Sequence, residues 1–198
     1  MDRPDVGQRV REAMAAVDRR LFLPPDQHRF AGADQALPIG HHATCSQPST
    51  VHQMLTLLAA GPGHRVLDVG SGSAWTTAIL ARLVAPDGEV VGVELEPPLV
   101  EVGRQNLAGF TAAHGAGAPA RIEPAVPDRF GLPAYAPYDR ILVSAEAHRL
   151  PQDLVDQLAE GGRMVAPVRG RLLVARLEGG RLSTDAVGSF RFVPLRKP

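Results

Sequence analysis

Val66-Leu67-Asp68-Val69-Gly70-Ser71-Gly72-Ser73-Ala74-Trp75 joins a strand, a tight turn and the start of a helix. The apolar run RVLDV (65–69) has the length and branching of a buried strand, and a helical pattern takes over at residues 75–84. Between them, Gly70 and Gly72 permit tight backbone geometry and let a ligand approach the main chain. The helix N-terminus offers free N–H donors. Asp68 precedes the first glycine by two residues. An acid there is a poor neighbour for a phosphate and suits a ligand with an ammonium or sulfonium charge. Taken alone, the turn reads equally as a plain strand-to-helix connection, because a lone glycine motif is weak evidence.

A second feature adds weight. The strand GEVVGVE (88–94) ends on Glu94, 24 residues after Gly70. That is about the interval of roughly 20 residues at which an acid reaches ribose hydroxyls in a strand–helix–strand unit. An exposed acid at a strand end is the alternative. The two features together favour a nucleoside ligand.

Outward from this centre, strands and helices alternate. Val6, Val10, Met14 and Val17 mark an amphipathic helix that ends before LFLPP (21–25). Residues 24–50 show no period and read as an ordered loop, of a length that points to function. A helix over 51–60 stops at Gly61-Pro62-Gly63. Helices are predicted over about 97–108 and 151–159, and strands over 120–125, 139–144, 163–168, 171–177 and 187–194. The stretch AAHGAGAPA (112–120) reads as a loop. The expected fold class is α/β, with a mostly parallel sheet covered on both faces. One domain is expected over 1–198, its N-terminal helix and active-site loop over 1–60 and its ligand-binding core over 61–198.

Composition narrows the function. With 21 basic and 21 acidic residues and no basic run, the chain has no electrostatic footprint for nucleic acid. No apolar run is long enough to cross a bilayer, so no membrane partner is expected. The opening MDRPDVGQRVREAM lacks an apolar signal region, and a cytoplasmic location is expected. Cys45 is the single cysteine, which excludes an internal disulfide framework and argues against a zinc–cysteine site. His41 and His42 are adjacent and have no accompanying carboxylate pattern, so no metal is expected.

The loop Leu37-Pro38-Ile39-Gly40-His41-His42-Ala43-Thr44-Cys45-Ser46-Gln47-Pro48 makes the reading more specific. LPIG followed by T-x-SQP, a helix and VLDVGSGS resembles the protein-L-isoaspartate O-methyltransferase family. The likeness continues through APYDRILVSA (136–145), the run from Leu150 to Val168 and FVPL (192–195), in colinear order over roughly residues 20–195.

The resemblance implies a Rossmann-like class I S-adenosylmethionine-dependent methyltransferase with a mostly parallel seven-stranded sheet and helices on both faces. Its cofactor would be S-adenosylmethionine, and its partner a protein or peptide substrate with a free carboxylate. By the family pattern Ser46 is the active-site residue, with Thr44 and Cys45 lining the pocket beside it. Asp68, Gly70, Ser71 and Gly72 would hold the methionine part of the cofactor, and Glu94 with Leu95 the ribose side. Ile39, His41, His42 and Thr44 would face the substrate. A carboxylate is already ionised at neutral pH, so no strong base is needed and catalysis rests on alignment and exclusion of water. Ser46 would orient the carboxylate by a hydrogen bond. Its alternative role is a helix N-cap before Pro48.

Several positions depart from the family pattern. The acid that touches adenine falls on Pro127, with Asp128 one place later as the substitute. The third glycine of the turn is Ala74. Glu146 and His148 replace a small residue and a proline, and Arg169 replaces a glycine. Glu146 would set a negative charge near the docking carboxylate unless Arg149 or Arg169 offsets it, or unless it points into solvent. Three functions follow: carboxyl methylation of isoaspartyl residues in protein repair, a specialised aspartate carboxyl methyltransferase of a peptide or natural product, or a non-catalytic binding module on the same fold.

Overall fold

The computed structural model describes residues 5–115 and 117–197. The chain begins with α1 (Val6–Ala15), passes two short 3-10 helices (Arg19–Phe22 and Pro25–Phe30), and makes a hairpin of β1 (Leu37–Gly40) and β2 (Ala43–Cys45). Then come α2 (Pro48–Leu58), β3 (Arg65–Val69), α3 (Trp75–Val84), β4 (Glu89–Glu94), α4 (Pro97–His114) and β5 (Ala120–Pro124). The chain continues through β6 (Tyr138–Val143), α5 (Gln152–Val155), β7 (Leu158–Val168), β8 (Arg171–Glu178) and β9 (Arg181–Val187).

The main sheet has seven strands in the order β5-β4-β3-β6-β7-β8-β9. Neighbours from β5 to β7 pair in parallel, and β8 and β9 add antiparallel strands. The chain winds outward from β3 through β4 to β5, then returns to the other side of β3 as β6. The carboxyl ends of β3 and β6 therefore flank a topological switch point, where open α/β sheets bind ligands.

Alternation along the strands sorts the core into two layers. Val66, Val90 and Leu142 pack on the face covered by α1 to α4, with Leu55, Ile79, Leu80 and Phe110. Leu67, Val69, Val91, Ile141 and Val143 face the other way, against Leu132, Tyr138, Leu154 and Leu158. Four helices thus cover one face; on the other, α5 and the segment 130–138 share the task.

Element ends differ from the sequence expectations in physically intelligible ways. The ordered loop expected over 24–50 contains a 3-10 helix and the β1–β2 hairpin. α2 starts at Pro48 instead of residue 51, with proline in the first turn, where its missing N–H costs nothing. α4 runs to His114, because Ala112, Ala113 and His114 continue the helix until Gly115 turns at φ 76°. Of the loop expected over 112–120, residue 116 lies outside the described residues. The helix expected over 151–159 is a single turn, since pairing with β6 and β8 draws Leu158 onward into β7. The last strand is Arg181–Val187, not 187–194.

Residues 188–195 instead leave the sheet and cross its carboxyl edge. Phe190 N–H donates to Gly170 O at 2.8 Å, Glu146 N–H to Val193 O at 2.7 Å and Leu195 N–H to Glu146 O at 2.7 Å. No helix among the described residues is long and apolar enough to cross a membrane.

Candidate active site

A cavity of about 350 Å³ opens at the switch point. Its floor is the β3–α3 turn (Val69–Ser73), one wall is the end of β4 (Val93–Glu96), and another is Ser144 and Ala145 after β6. The hairpin and the residues after it (His41–Ser46) close one end, and Ala125, Phe130 and Gly131 line the wall after β5. Val193–Arg196 complete the rim.

The floor is held by backbone bonds. Gly70 (φ 81°) and Ser71 both donate N–H to Val93 O, at 2.8 and 3.1 Å. Gly72 sits at φ 53°, and a Cβ there would come within 3.1 Å of Ile39 Cδ1, so the hairpin rests directly on the glycine. Ala74 keeps a left-handed φ of 75° despite its side chain, a conformation that costs about 1–2 kcal/mol.

Glu94 is the best-fixed side chain of the site. It is 7% exposed, its Oε2 accepts Gly72 N–H at 2.8 Å, and its Oε1 accepts Leu95 N–H at 2.7 Å and Glu96 N–H at 3.0 Å. A carboxylate has about four lone-pair sites, so these three bonds leave roughly one for a ligand. Leu95 lines the same wall.

Asp68 is placed differently from its neighbours. Strand alternation turns it to the helix side of β3, fully buried and outside the cavity wall. Its Oδ2 accepts Thr77 Oγ1–H at 2.7 Å, and Oδ1 has no partner. Burial, reinforced by the nearby Glu94 charge and partly offset by the Thr77 bond, raises its pKa to about 7. Ser71 Oγ is also buried without a partner. Gly92 on the adjacent strand makes room for this group: a Cβ there would lie 2.9 Å from Ser71 Cβ and 3.0 Å from Thr77 Oγ1. The turn is thus backed by polar atoms with hydrogen-bonding capacity to spare.

The hairpin presents Thr44, Cys45 and Ser46 to the cavity, with His41 and His42 exposed at its tip. Gly40, His41 and His42 have φ values of 89°, 51° and 59°, so the tip is a left-handed turn of the kind that tight hairpins require. Ile39 packs on Gly72 and does not line the cavity. Ser46 is not the helix cap. Gln47 occupies that position but its side chain does not cap the helix, and Asp34 supplies the acceptor, its Oδ1 taking Ser49 N–H at 2.8 Å. That backbone bond holds the Asp34 carboxyl below its ordinary pKa. Cys45 is 5% exposed, and burial pushes its thiol pKa up, opposite to what a nucleophile needs.

Two residues singled out as departures stand away from the cavity. Asp128 is exposed at φ 62°, and Phe130 and Gly131 occupy the wall instead. Glu146 points to the turn after β7, where its Oε1 accepts Gly170 N–H at 2.9 Å, while its backbone pairs with the tail. Its charge is committed there and is not a wall of the cavity.

The structure adds residues that sequence reasoning missed. Arg19 is buried behind Ser46, with its guanidinium bonded to carbonyls of two chain segments, 31–35 and 45–46. Gln157 is 2% exposed and clamps the Phe130 wall: its Oε1 accepts Leu132 N–H at 2.9 Å, and its Nε2 donates to Phe130 O at 2.8 Å. Arg196 pairs with Glu96 at 2.5 Å across the rim. Each acts through backbone groups or a distant partner, which leaves no local motif. Among the described residues, no group of three His, Cys, Asp or Glu side chains is placed to hold a metal ion.

Comparison with known proteins agrees with this geometry. The family model for Protein-L-isoaspartate(D-aspartate) O-methyltransferase (PCMT) matches residues 3–198. A protein-L-isoaspartate O-methyltransferase of Aeropyrum pernix is 49% identical over 162 residues, covering 81% of this chain and 60% of the relative. One from Methanoregula boonei is 43% identical over 192 residues, covering 94% of this chain and 84% of the relative. The chain thus spans 60% of the length of the first relative and most of the second. A solved protein-L-isoaspartate O-methyltransferase of Plasmodium falciparum, in complex with S-adenosyl-L-homocysteine, superposes with a TM-score of 0.78. It is 25% identical, with 100% of this chain and 93% of that one covered. The expected methyltransferase fold is therefore the observed one, and the chain belongs to the protein-L-isoaspartate O-methyltransferase family.

Proposed function

We propose that this chain transfers a methyl group from S-adenosylmethionine to the free carboxylate of an isoaspartyl residue in a protein or peptide. The observation that carries the reading is the convergence of the Glu94 wall and the Ser46 loop on one cavity at the switch point. The residues fit the cofactor. Glu94 retains lone-pair capacity for ribose hydroxyls, Gly70 and Gly72 keep the turn free of side chains, and the orphaned Asp68 and Ser71 oxygens lie beneath it. Leu95, Phe130 and Gly131 form an apolar wall for a flat base. When bound, the cofactor supplies an electrophilic methyl group on a sulfonium.

The chain's own part is alignment. Ser46 orients the carboxylate by donating its hydroxyl hydrogen, Thr44 lies beside it, and His41 and His42 border the entrance. The hairpin and the tail segment 193–196 limit access of water. No base is required, because the acceptor oxygen carries no proton at neutral pH. Glu146 poses no obstacle to an anionic acceptor, since its carboxylate is bonded to Gly170. That removes the main argument for a different acceptor.

The test is methyl transfer from labelled S-adenosylmethionine to a peptide containing isoaspartate, beside the same peptide with ordinary aspartate. Label on the isoaspartyl peptide alone is the expected result. Tight S-adenosylhomocysteine binding with no transfer to either peptide would refute the proposed reaction and favour a binding module.

A further inference from the structure

Arg19 lies on the first 3-10 helix and is 5% exposed. Its Nη2 donates to Gln35 O at 2.8 Å, Ser46 O at 2.9 Å and Cys45 O at 3.0 Å. Its Nη1 reaches Ala33 O at 3.1 Å and Ala31 O at 3.4 Å, and Nε lies 3.4 Å from Cys45 Sγ. The guanidinium also sits 5.3 Å from the Trp75 ring centroid. Every one of these partners is electrically neutral. Asp34 feels the Arg19 charge from a distance, but its two oxygens are bonded to Ser49 N–H and the Gln47 amide and make no ion pair with the guanidinium. A buried guanidinium with no carboxylate in direct contact is unusual, because the desolvation cost of an ion is ordinarily met by an opposite charge at close range.

The cavity wall makes the surplus meaningful. Its charged side chains are Glu94, Glu96 and Arg196, and the last two pair with each other. Glu94 is left as an uncompensated negative charge, which by itself repels an anionic acceptor. Arg19 lies directly behind the Ser46 backbone and supplies the opposite sign at the acceptor end.

We infer that Arg19 is a positioning residue that shapes the Ser46 loop and makes it selective for a carboxylate over a neutral carboxamide. The inference rests on the proposed reading of a carboxylate acceptor. Arg19 does not touch the substrate. It acts through the Cys45 and Ser46 carbonyls and through its field, which low-dielectric surroundings leave poorly screened.

The test is binding, so it does not depend on turnover. The full chain loaded with S-adenosylhomocysteine is titrated with an isoaspartyl peptide and with the same peptide in which that carboxylate is a carboxamide. Wild type is expected to prefer the carboxylate by about 10-fold or more, Arg19→Lys to keep most of that ratio, and Arg19→Gln to bring it near one. A merely structural role would weaken both peptides equally and leave the ratio unchanged, which overturns the inference. So does a wild type that binds both alike. If Arg19→Gln does not fold, Arg19→Lys decides: loss of its preference refutes the charge argument. A wild type that shows the ratio, lost in Arg19→Gln, but methylates neither peptide refutes the activity and supports the role of Arg19.

Discussion

Replacing Glu94 with Gln exchanges one carboxylate oxygen for an amide NH2 while keeping the shape of the side chain. In its least costly rotamer the remaining oxygen keeps Leu95 N–H and Glu96 N–H, and the new NH2 faces Gly72 N–H, 2.8 Å from the oxygen it replaces. Two donors then oppose each other at a side chain only 7% exposed. One hydrogen bond to a charged acceptor is lost and a buried donor is stranded, a cost of about 2–3 kcal/mol. For a chain of this size the melting temperature should fall by about 4–10 °C. The bound nucleoside also loses its charged acceptor, which at about 2 kcal/mol lowers affinity roughly 30-fold. Thermal unfolding and calorimetric titration with S-adenosylhomocysteine measure the two effects separately. A variant that melts early but binds within a factor of about three would refute the ribose role and leave Glu94 as a clamp on the turn. Unchanged melting and binding together would refute the hydrogen-bond geometry itself.

Other perturbations probe the remaining parts of the site. Ser46→Ala removes one hydrogen bond to a charged group, and kcat on an isoaspartyl peptide should drop about 10- to 100-fold with cofactor affinity intact. Asp34, not Ser46, caps α2, so equal loss of thermal stability and activity would contradict this assignment. Asp68→Asn addresses the buried acid, whose folded pKa of about 7 exceeds the unfolded value near 4. The folded state then binds the extra proton, and the contribution of Asp68 to stability declines as pH rises through that window. Wild type should lose stability relative to Asp68→Asn between pH 5 and about 7, and a parallel pair of stability–pH curves would show that Asp68 is not protonated. Gly131→Ala puts a Cβ 2.5 Å from Gln157 Oε1 at φ 79°, and should cost about 2–3 kcal/mol and weaken cofactor binding. Wild-type melting in that variant would mean that the Gln157 clamp is not rigid.

The central strands were legible because they are short, largely apolar runs, two of them abutting glycine at Gly70 and Gly88. RVLDV, EVVGVE and DRILVS need no partner to be recognised. β9 gave no such signal: Arg181–Val187 is exposed over nearly its whole length, so neither alternation nor an apolar run marks it. The brief α5 was overestimated because QDLVDQLAE has helical spacing, and only pairing with β6 and β8 takes its end into β7.

Within the site, Glu94 and the Ser46 loop could be read from spacing and motif. The side of the strand occupied by Asp68 was also available, since Val66 and Asp68 share a face. Arg19 was not legible, because its partners are carbonyls of two chain segments, 31–35 and 45–46, that only the fold brings together. Glu146 was correctly noticed as unusual, but its use as a brace for the 169–170 turn depends on the return of the tail.

The hairpin of β1 and β2 forms its own two-stranded sheet and exchanges no strand pairing with the seven-stranded one. It meets the cofactor floor through Ile39 on Gly72 and is tied to the loops before it by Arg19. The proposed acceptor end of the cavity and its proposed nucleoside end are therefore contributed by separately built parts of one chain. On the proposed reading, changes at the exposed His41–His42 tip should alter which acceptors enter without disturbing the parallel sheet. Such a hairpin is a replaceable cassette, and grafting a tip of different sequence between Ile39 and Thr44 is a direct route to a new acceptor preference on an unaltered methyl-transfer core.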